Sequence, residues 1–148
     1  FEKMMLLAVE RVPALGNAGI RKLMNGPESF TPDGNFILGE APEVKNYFVG
    51  AGFNAFGIAA AGGAGKALAE WVLVGEPPMD LWIVDIRRFS KIHQNEDWVR
   101  NRTLELYGKH YTLSWPHEEH ESGRPVLPSP IYEILKEQGA CFGSKRPF

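Results

Sequence analysis

The stretch "GFNAFGIAAAGGAGKALAEW", residues 52–71, decides how the chain is read. It is built mostly of glycine and alanine, carries no charge before Lys66, and follows the short apolar run "NYFVGA". Such a strand–turn–helix sequence predicts a strand ending near Gly50, a turn, and one helix over Gly57–Val74. Gly75 and Pro77–Pro78 close that helix, and Leu68, Trp71, Val72 and Gly75 supply its packing stripe. Glycine inside a helix costs about 1 kcal/mol relative to alanine. Gly62, Gly63 and Gly65 therefore call for a compensating contact: close packing against another backbone, or a flat ligand lying on the chain. Two phosphate-binding patterns fail here. After Gly50 and Gly52 the third glycine of a dinucleotide fingerprint arrives at Gly57, off its required spacing. In "GGAGKA" Ala60 stands where the first glycine of a phosphate loop belongs, and Ala67 replaces the Ser/Thr that would hold magnesium.

The rest of the chain mixes short helices and strands with no internal repeat, an α+β pattern. Residues 2–12 read as a helix with Met4, Leu7, Ala8 and Val12 at helical spacing, closed by Pro13 and Gly16. "NGPESFTPDGNF" is turn chemistry around a short strand near Ser29–Thr31, with Asp33 capping its own turn. "FILGE", "YFVGA" and "LWIVDI" (81–86) read as strands, and "YTLSW" (111–115) alternates like a half-buried one. Residues 95–108 read as a helix capped by Asn95, with Glu96 and Asp97 in its first turn and Gly108 at its end. A last helix starts with Ser129 as N-cap and Pro130 at N1, presents Ile131, Ile134 and Leu135 on one face, and ends at Gly139.

Composition narrows the function. The chain has 148 residues, 44% of them hydrophobic, and a net charge of −2. It is long enough for a core, and it has no basic field for nucleic acid. No apolar run approaches a membrane span. The single Cys141 excludes an internal disulfide, suits a reducing compartment, and reads as a buried structural thiol. "HEEH", His117–His120, lacks the spacing of a helical zinc pair and reads as a solvated loop, so no metal site is assigned. Asp85, Arg87 and Arg88 read as a salt-bridge group at a domain junction rather than a phosphate site. Trp71, Trp82, Trp98 and Trp115 read as core or interface anchors. "NRT" (101–103) matches a glycosylation acceptor by chance in a helix-like stretch. The chain opens at Phe1 inside a helical pattern and stops after "GSKRPF", which leads us to expect a piece of a longer polypeptide.

The blocks "NGPESFTPDGNFILGEAP", "GAGFNAFGIAAAGGAGKALAEWVLVGEPP", "DLWIVDIRRF", "YGKHYTLSWPHEE" and "SPIYEILKEQGACFGSK" resemble, in order, the sarcosine and dimethylglycine dehydrogenase family. The likeness covers almost the whole chain. It implies FAD as cofactor and an amino-acid-oxidase-like fold. Residues 1–78 would be the C-terminal end of the FAD domain, and 79–148 a linking region before a folate-binding, aminomethyltransferase-like domain. It implies oxidation of an N-methylated amino acid, with the one-carbon unit passing to formaldehyde or tetrahydrofolate. The electron acceptor would be an electron-transfer flavoprotein or oxygen. The location would be cytoplasmic in a bacterium and the mitochondrial matrix in a eukaryote. The pyruvate dehydrogenase phosphatase regulatory subunit shares the architecture and is the alternative, non-catalytic reading. On this resemblance Gly52, Phe53, Asn54, Ala55, Phe56, Gly57 and Ile58 would contact the flavin, mostly through backbone. Gly57 is expected to hold a turn geometry that penalises a Cβ. Some related amine oxidases anchor the substrate carboxylate with a lysine in this run. Ala59 stands at about that place, so the anchor and the catalytic residues are expected outside this chain.

Overall fold

The structure, a computed structural model, describes residues 1–143. It has helices α1 (Glu2–Arg11), α2 (Gly57–Val74), α3 (Glu96–Lys109) and α4 (Tyr132–Glu137), and strands β1 (Ile37–Glu40) and β2 (Phe48–Ala51). The strands form an antiparallel pair in which Ile37 faces Ala51 and Glu40 faces Phe48. This is the α+β character that the sequence predicts, and α2 has the expected bounds.

The core lies between this hairpin and α2. Leu38, Ala64 and Val84 are its buried centre, with Phe36, Phe53, Leu68 and Leu81 packed around them. Phe36 and Phe53 stack with ring centroids 5.1 Å apart. Ala64 and Ala67 are the small residues of α2 that serve this packing. Trp71, 3% exposed, closes the far end. Its ring meets Phe48 edge-on and lies so close beneath Gly39 that a Cβ there would stand 2.7 Å from it. Gly39 also has φ +116, so only glycine suits the position. Gly62, Gly63 and Gly65 lie on the opposite, exposed face of α2 and have nothing within 4 Å of a built Cβ. Val72, placed in the packing stripe by the sequence, is exposed as well, and Gly75 is the left-handed C-cap.

Asn95 caps α3 by accepting a hydrogen bond from the Trp98 amide, as its position predicts. Trp98 is buried and its indole N–H donates to the Gly123 carbonyl at 2.9 Å. Of the four tryptophans, Trp71 and Trp98 are core residues, whereas Trp82 and Trp115 are exposed. Helix α1 forms where expected, but none of its residues is buried.

Five expectations are corrected. Ser29–Thr31 is not a strand, because its ladder groups are taken by one side-chain-bearing turn: the Asn54 amide donates to the Ser29 carbonyl and Asn54 Oδ1 accepts from the Thr31 amide. Residues 81–86 are not a strand either. The Asp80 carboxylate accepts from the Trp82 amide and the Leu81 carbonyl from Val84 and Asp85, which coils the run. A single bridge, Leu38 to Asp85, with the Leu38 amide donating to the Val84 carbonyl, is what remains of the pairing. The 111–115 segment turns off the end of α3 through Thr112, leaving Tyr111, Leu113 and Trp115 exposed. Helix α4 begins at Tyr132 with Ile131 as N-cap, and Ser129 and Pro130 form the turn before it. Gly139, at φ +81, follows its end as expected. Cys141 is exposed rather than buried, since α4 buries no residue and offers no core behind it.

Candidate functional site

Strand β2 ends at Ala51, and the backbone then enters the left-handed region at Gly52 (φ 64), Asn54 (φ 49) and Ala55 (φ 68). A run of such residues is costly unless something holds it. Asn54 does the holding. It is 1% exposed, its Nδ2 donates to the Gly52 carbonyl at 2.6 Å, and its Oδ1 accepts from the Thr31 amide at 2.9 Å. Asparagine tolerates the left-handed geometry because its short amide can bond the local backbone in this way.

The result is a tight turn that delivers the chain into the first turn of α2. No side chain caps that helix, so its first N–H groups lack a side-chain acceptor at the N-cap. Beside it lies a cleft of about 330 Å³ lined by Glu28, Ser29, Gly52, Phe53, Asn54, Ala55, Gly57 and Ile58. Glu28, at the exposed rim, is its charged member. The cleft is open, lined by small residues together with Phe53, Ile58 and Glu28, with the N-terminus of α2 at one edge. This fits an aromatic ring system with an electron-rich edge.

The seven residues named from the sequence therefore come together, in two roles. Ala55 and Ile58 are exposed along the cleft, Ile58 completely. Phe53 turns inward onto Phe36, and Asn54 is the internal strut. Phe56 leans on His110 at the end of α3 instead of lining the cleft. The expectation for Gly57 is corrected. It begins the helix outside the left-handed region, and a Cβ built there meets only Phe53 Cβ at 3.7 Å. The position at which a Cβ cannot fit is Gly52, where it would stand 2.6 Å from Thr31 Cγ2. Glu28, Ser29 and Thr31 complete the cleft and its support. The "PESFT" run carried the signal, but its turn residues drew attention to the turn alone.

Behind the loop, Thr31 Oγ1 lies 3.0 Å from Asp33 Oδ1, and Asp33 pairs with Arg88 at 2.6 Å. Asp33 also accepts from the Asn35 amide, so the predicted turn cap is present. Arg87 pairs with Asp85 and lies over the Trp71 ring. Burial disfavours the Asp85 carboxylate, but the hydrogen bonds and charge of Arg87 outweigh it and hold its pKa below the ordinary value. The salt-bridge reading of this arginine pair holds.

The "HEEH" loop is exposed at His117, Glu118 and Glu119, as a solvated loop is, and ion pairs pin it to α3. Glu118 pairs with Lys109, Glu119 with Arg124, and His120 lies beside Glu105. Glu105 is the hub, accepting from the Glu121 and Ser122 amides at 2.8 Å and from Lys109 and the Ser122 hydroxyl. Among the described residues no group of three or more His, Cys, Asp or Glu could hold a metal ion. Burial raises the Glu105 pKa, but Ser122, the two amides and Lys109 together bring it far below the ordinary carboxylate range. A depressed folded pKa gives stability that is complete above the unfolded value of about 4.3 and is lost as pH falls through the folded value. Glu105→Gln should therefore speed hydrogen exchange at the Glu121 and Ser122 amides roughly tenfold at neutral pH. Unaltered exchange at both amides would show that Glu105 does not hold this loop.

Residues 1–71 match the family model described as FAD dependent oxidoreductase, and residues 74–129 that described as FAD dependent oxidoreductase central domain. The chain is 49% identical over 89% of its length to 4-methylaminobutanoate oxidase (formaldehyde-forming) of Paenarthrobacter nicotinovorans, covering 16% of that protein. It is 42% identical over 95% of its length to human mitochondrial sarcosine dehydrogenase, again covering 16%. To the mitochondrial pyruvate dehydrogenase phosphatase regulatory subunit of Mus musculus it is 40% identical over its whole length, covering 17%. The chain thus spans about a sixth of the length of these relatives.

Proposed function

We propose a function from one premise: the chain belongs to the sarcosine and dimethylglycine dehydrogenase family of FAD-dependent oxidoreductases. The reading is that it forms the flavin-facing end of an FAD domain and the start of the central domain in an enzyme that oxidatively demethylates an N-methylated amino acid. The boundary between the two falls near residue 78. The junction of the two family-model matches between residues 71 and 74 supports that division.

The observation that carries the reading is the left-handed turn at Asn54–Ala55 leading into the uncapped N-terminus of α2, beside a cleft with one charged lining residue at its rim. Of Gly52, Phe53, Asn54, Ala55, Phe56, Gly57 and Ile58, the cleft-lining Gly52, Phe53, Ala55, Gly57 and Ile58 would hold FAD there, while Asn54 and Phe56 would brace the loop from behind. Bound FAD would supply the acceptor for the electron pair lost from an N-methyl C–H bond. Within this chain, Ala55, Gly57 and Ile58 offer a face without polar side chains, which excludes water from one side of the ring. The α2 N-terminus stabilises negative charge near its edge. Asn54 orients the loop without touching the ligand. Residues 51–65 include no charged side chain, so a substrate carboxylate must be bound by residues elsewhere in the protein.

The substrate class follows from the relatives, whose printed names specify a 4-methylaminobutanoate oxidase and a sarcosine dehydrogenase. The one-carbon product would be formaldehyde or a tetrahydrofolate-bound unit made in a further domain, and the electron acceptor an electron-transfer flavoprotein or oxygen. No helix among the described residues is long and apolar enough to cross a membrane. A mitochondrial matrix or bacterial cytoplasmic location suits such relatives. The second reading, a regulatory protein without turnover, is favoured by the match of the whole chain to the phosphatase regulatory subunit.

The deciding experiment uses the full-length polypeptide. Purified protein should show flavin absorbance and oxidise sarcosine, dimethylglycine or 4-methylaminobutanoate. Flavin without turnover on any methylated amine would favour the regulatory reading, and absence of flavin would end both the cofactor and the enzyme assignments. The isolated 148-residue chain makes a separate prediction. It holds only one wall of a flavin site, so FAD should dissociate from it on gel filtration. Stoichiometric retention there would show that the site is complete within these residues.

A further inference from the structure

We infer that Arg88 is a positioning residue for the flavin loop, acting on Asn54 through Asp33 and Thr31. The inference rests on the reading that residues 52–58 face FAD. The four side chains form one continuous line of hydrogen bonds. Arg88 donates to both Asp33 oxygens, at 2.6 Å from Nε and 3.1 Å from Nη2. Thr31 Oγ1 lies 3.0 Å from Asp33 Oδ1, and Asn54 Nδ2 lies 3.2 Å from Thr31 Oγ1. Every link is withdrawn from water: the Asp33 and Arg88 side chains are 2% and 3% exposed, Thr31 is 3% and Asn54 1%.

The direction of the line follows from donor counting. A threonine hydroxyl has one proton to give. Next to the Asp33 carboxylate, which can only accept, that proton points to Asp33 or to the Asn35 carbonyl at 2.9 Å. Thr31 Oγ1 then accepts from Asn54 Nδ2 at 3.2 Å, in place of donating to Asn54 Oδ1 at the longer 3.4 Å. The Thr31 amide and the Gly52 carbonyl set which way the Asn54 amide faces, and the Thr31 hydroxyl adds a third bond to that same orientation, the one that holds the left-handed turn. Arg88 holds the Asp33 carboxylate in place by donating to both of its oxygens. Arg88 is itself fixed by donation to the Val84, Asp85 and Asn35 carbonyls.

Arg88 thus comes from the segment matching the central domain, while Asn54 and its cleft belong to the segment matching the FAD-dependent oxidoreductase. The ion pair spans 55 residues of sequence. In a buried network each bond polarises the next, so removing the distal charge weakens the whole line. Without Arg88 the Thr31 hydroxyl is free to turn from Asp33 toward Asn54 Oδ1, 3.4 Å away, so that Asn54 Nδ2 loses an acceptor and the loop loosens from the geometry that would offer its backbone to the ring.

The test uses the full-length flavin-loaded protein, read by visible circular dichroism of the flavin and by the rate of FAD release on dialysis. Arg88→Met and Thr31→Val should each alter the dichroism and speed release roughly tenfold, while Arg88→Lys recovers part of the loss. Thr31→Val keeps the side-chain shape and the Thr31 amide bond to Asn54, so it remains decisive where Arg88→Met fails to fold. Arg87→Met, one residue away and itself exposed in its pair with the buried Asp85, should leave both readouts unchanged. Arg88→Met combined with Asn54→Ala should be no worse than Asn54→Ala alone, because both act on one line. If Asn54→Ala changes the flavin signals but Arg88→Met and Thr31→Val do not, the relay is wrong and the flavin assignment stands. If Asn54→Ala leaves the signals unchanged, the assignment of the loop to the flavin fails, and the inference with it.

Discussion

Gly57→Val in the full-length polypeptide is expected to fold normally and to retain FAD roughly ten- to a hundredfold more weakly than the parent. The two halves of that statement come from one position. Gly57 starts α2 outside the left-handed region, and an added Cβ meets only Phe53 Cβ at an ordinary 3.7 Å, so the chain accommodates the substitution. The two methyl groups beyond it enter the cleft of about 330 Å³ that Gly57 lines. Whatever lies in that cleft must yield. Gly52 would be a poorer probe despite its larger clash, because a side chain there strikes Thr31 and distorts the loop before any ligand is involved. Gly75→Ala is the control. It strains a left-handed C-cap at the far end of α2 and should leave the flavin spectrum unaltered. Normal flavin content and spectrum in Gly57→Val would mean that the cleft is not where FAD lies.

How much of this was legible in the sequence depends on how local each feature is. Helix α2 is bounded by residues that act through their own backbone, Gly57 at one end and Gly75 with Pro77–Pro78 at the other. Helix α3 is announced by the side chain of Asn95. Both were readable for that reason. The segments 81–86 and 111–115 carry good strand residues, but a strand exists only if a partner is alongside. Residues 81–86 find a single bridge to Leu38, and Leu113 and Trp115 point to solvent. In the candidate site, the stretch 52–58 stands out by its lack of charge and its place between a strand and a glycine- and alanine-rich helix. Its internal division does not, because whether Asn54 faces the ligand or the interior is set by Thr31, 23 residues earlier. The Asp33–Arg88 pair is further still from any pattern of spacing. Each partner has a sufficient local reading, a turn aspartate and a junction arginine, and only the fold joins them.

That pair carries the second large effect. Asp33→Ala leaves the Arg88 guanidinium 3% exposed beside a missing carboxylate, and an uncompensated buried charge costs about 3–5 kcal/mol. The loss should appear as a lower free energy of opening at the Leu38 amide, which donates to the Val84 carbonyl, and at the Asn54 amide, which donates to Ser29. Hydrogen exchange on the full-length protein measures both. A change below about 1 kcal/mol at each would show that Arg88 finds other compensation. Replacing both members, Asp33→Leu with Arg88→Met, removes the stranded charge and should recover most of the stability, since buried ion pairs are often no more stabilising than apolar residues of similar volume. It should not recover the flavin signals, because the Thr31 hydroxyl would be left with the Asn35 carbonyl and Asn54 Oδ1 and without the carboxylate that turns it away from Asn54. Stability regained without the flavin environment would separate the two roles of the pair. If the double variant regained both, Asp33 and Arg88 would matter to the site only by keeping the chain folded.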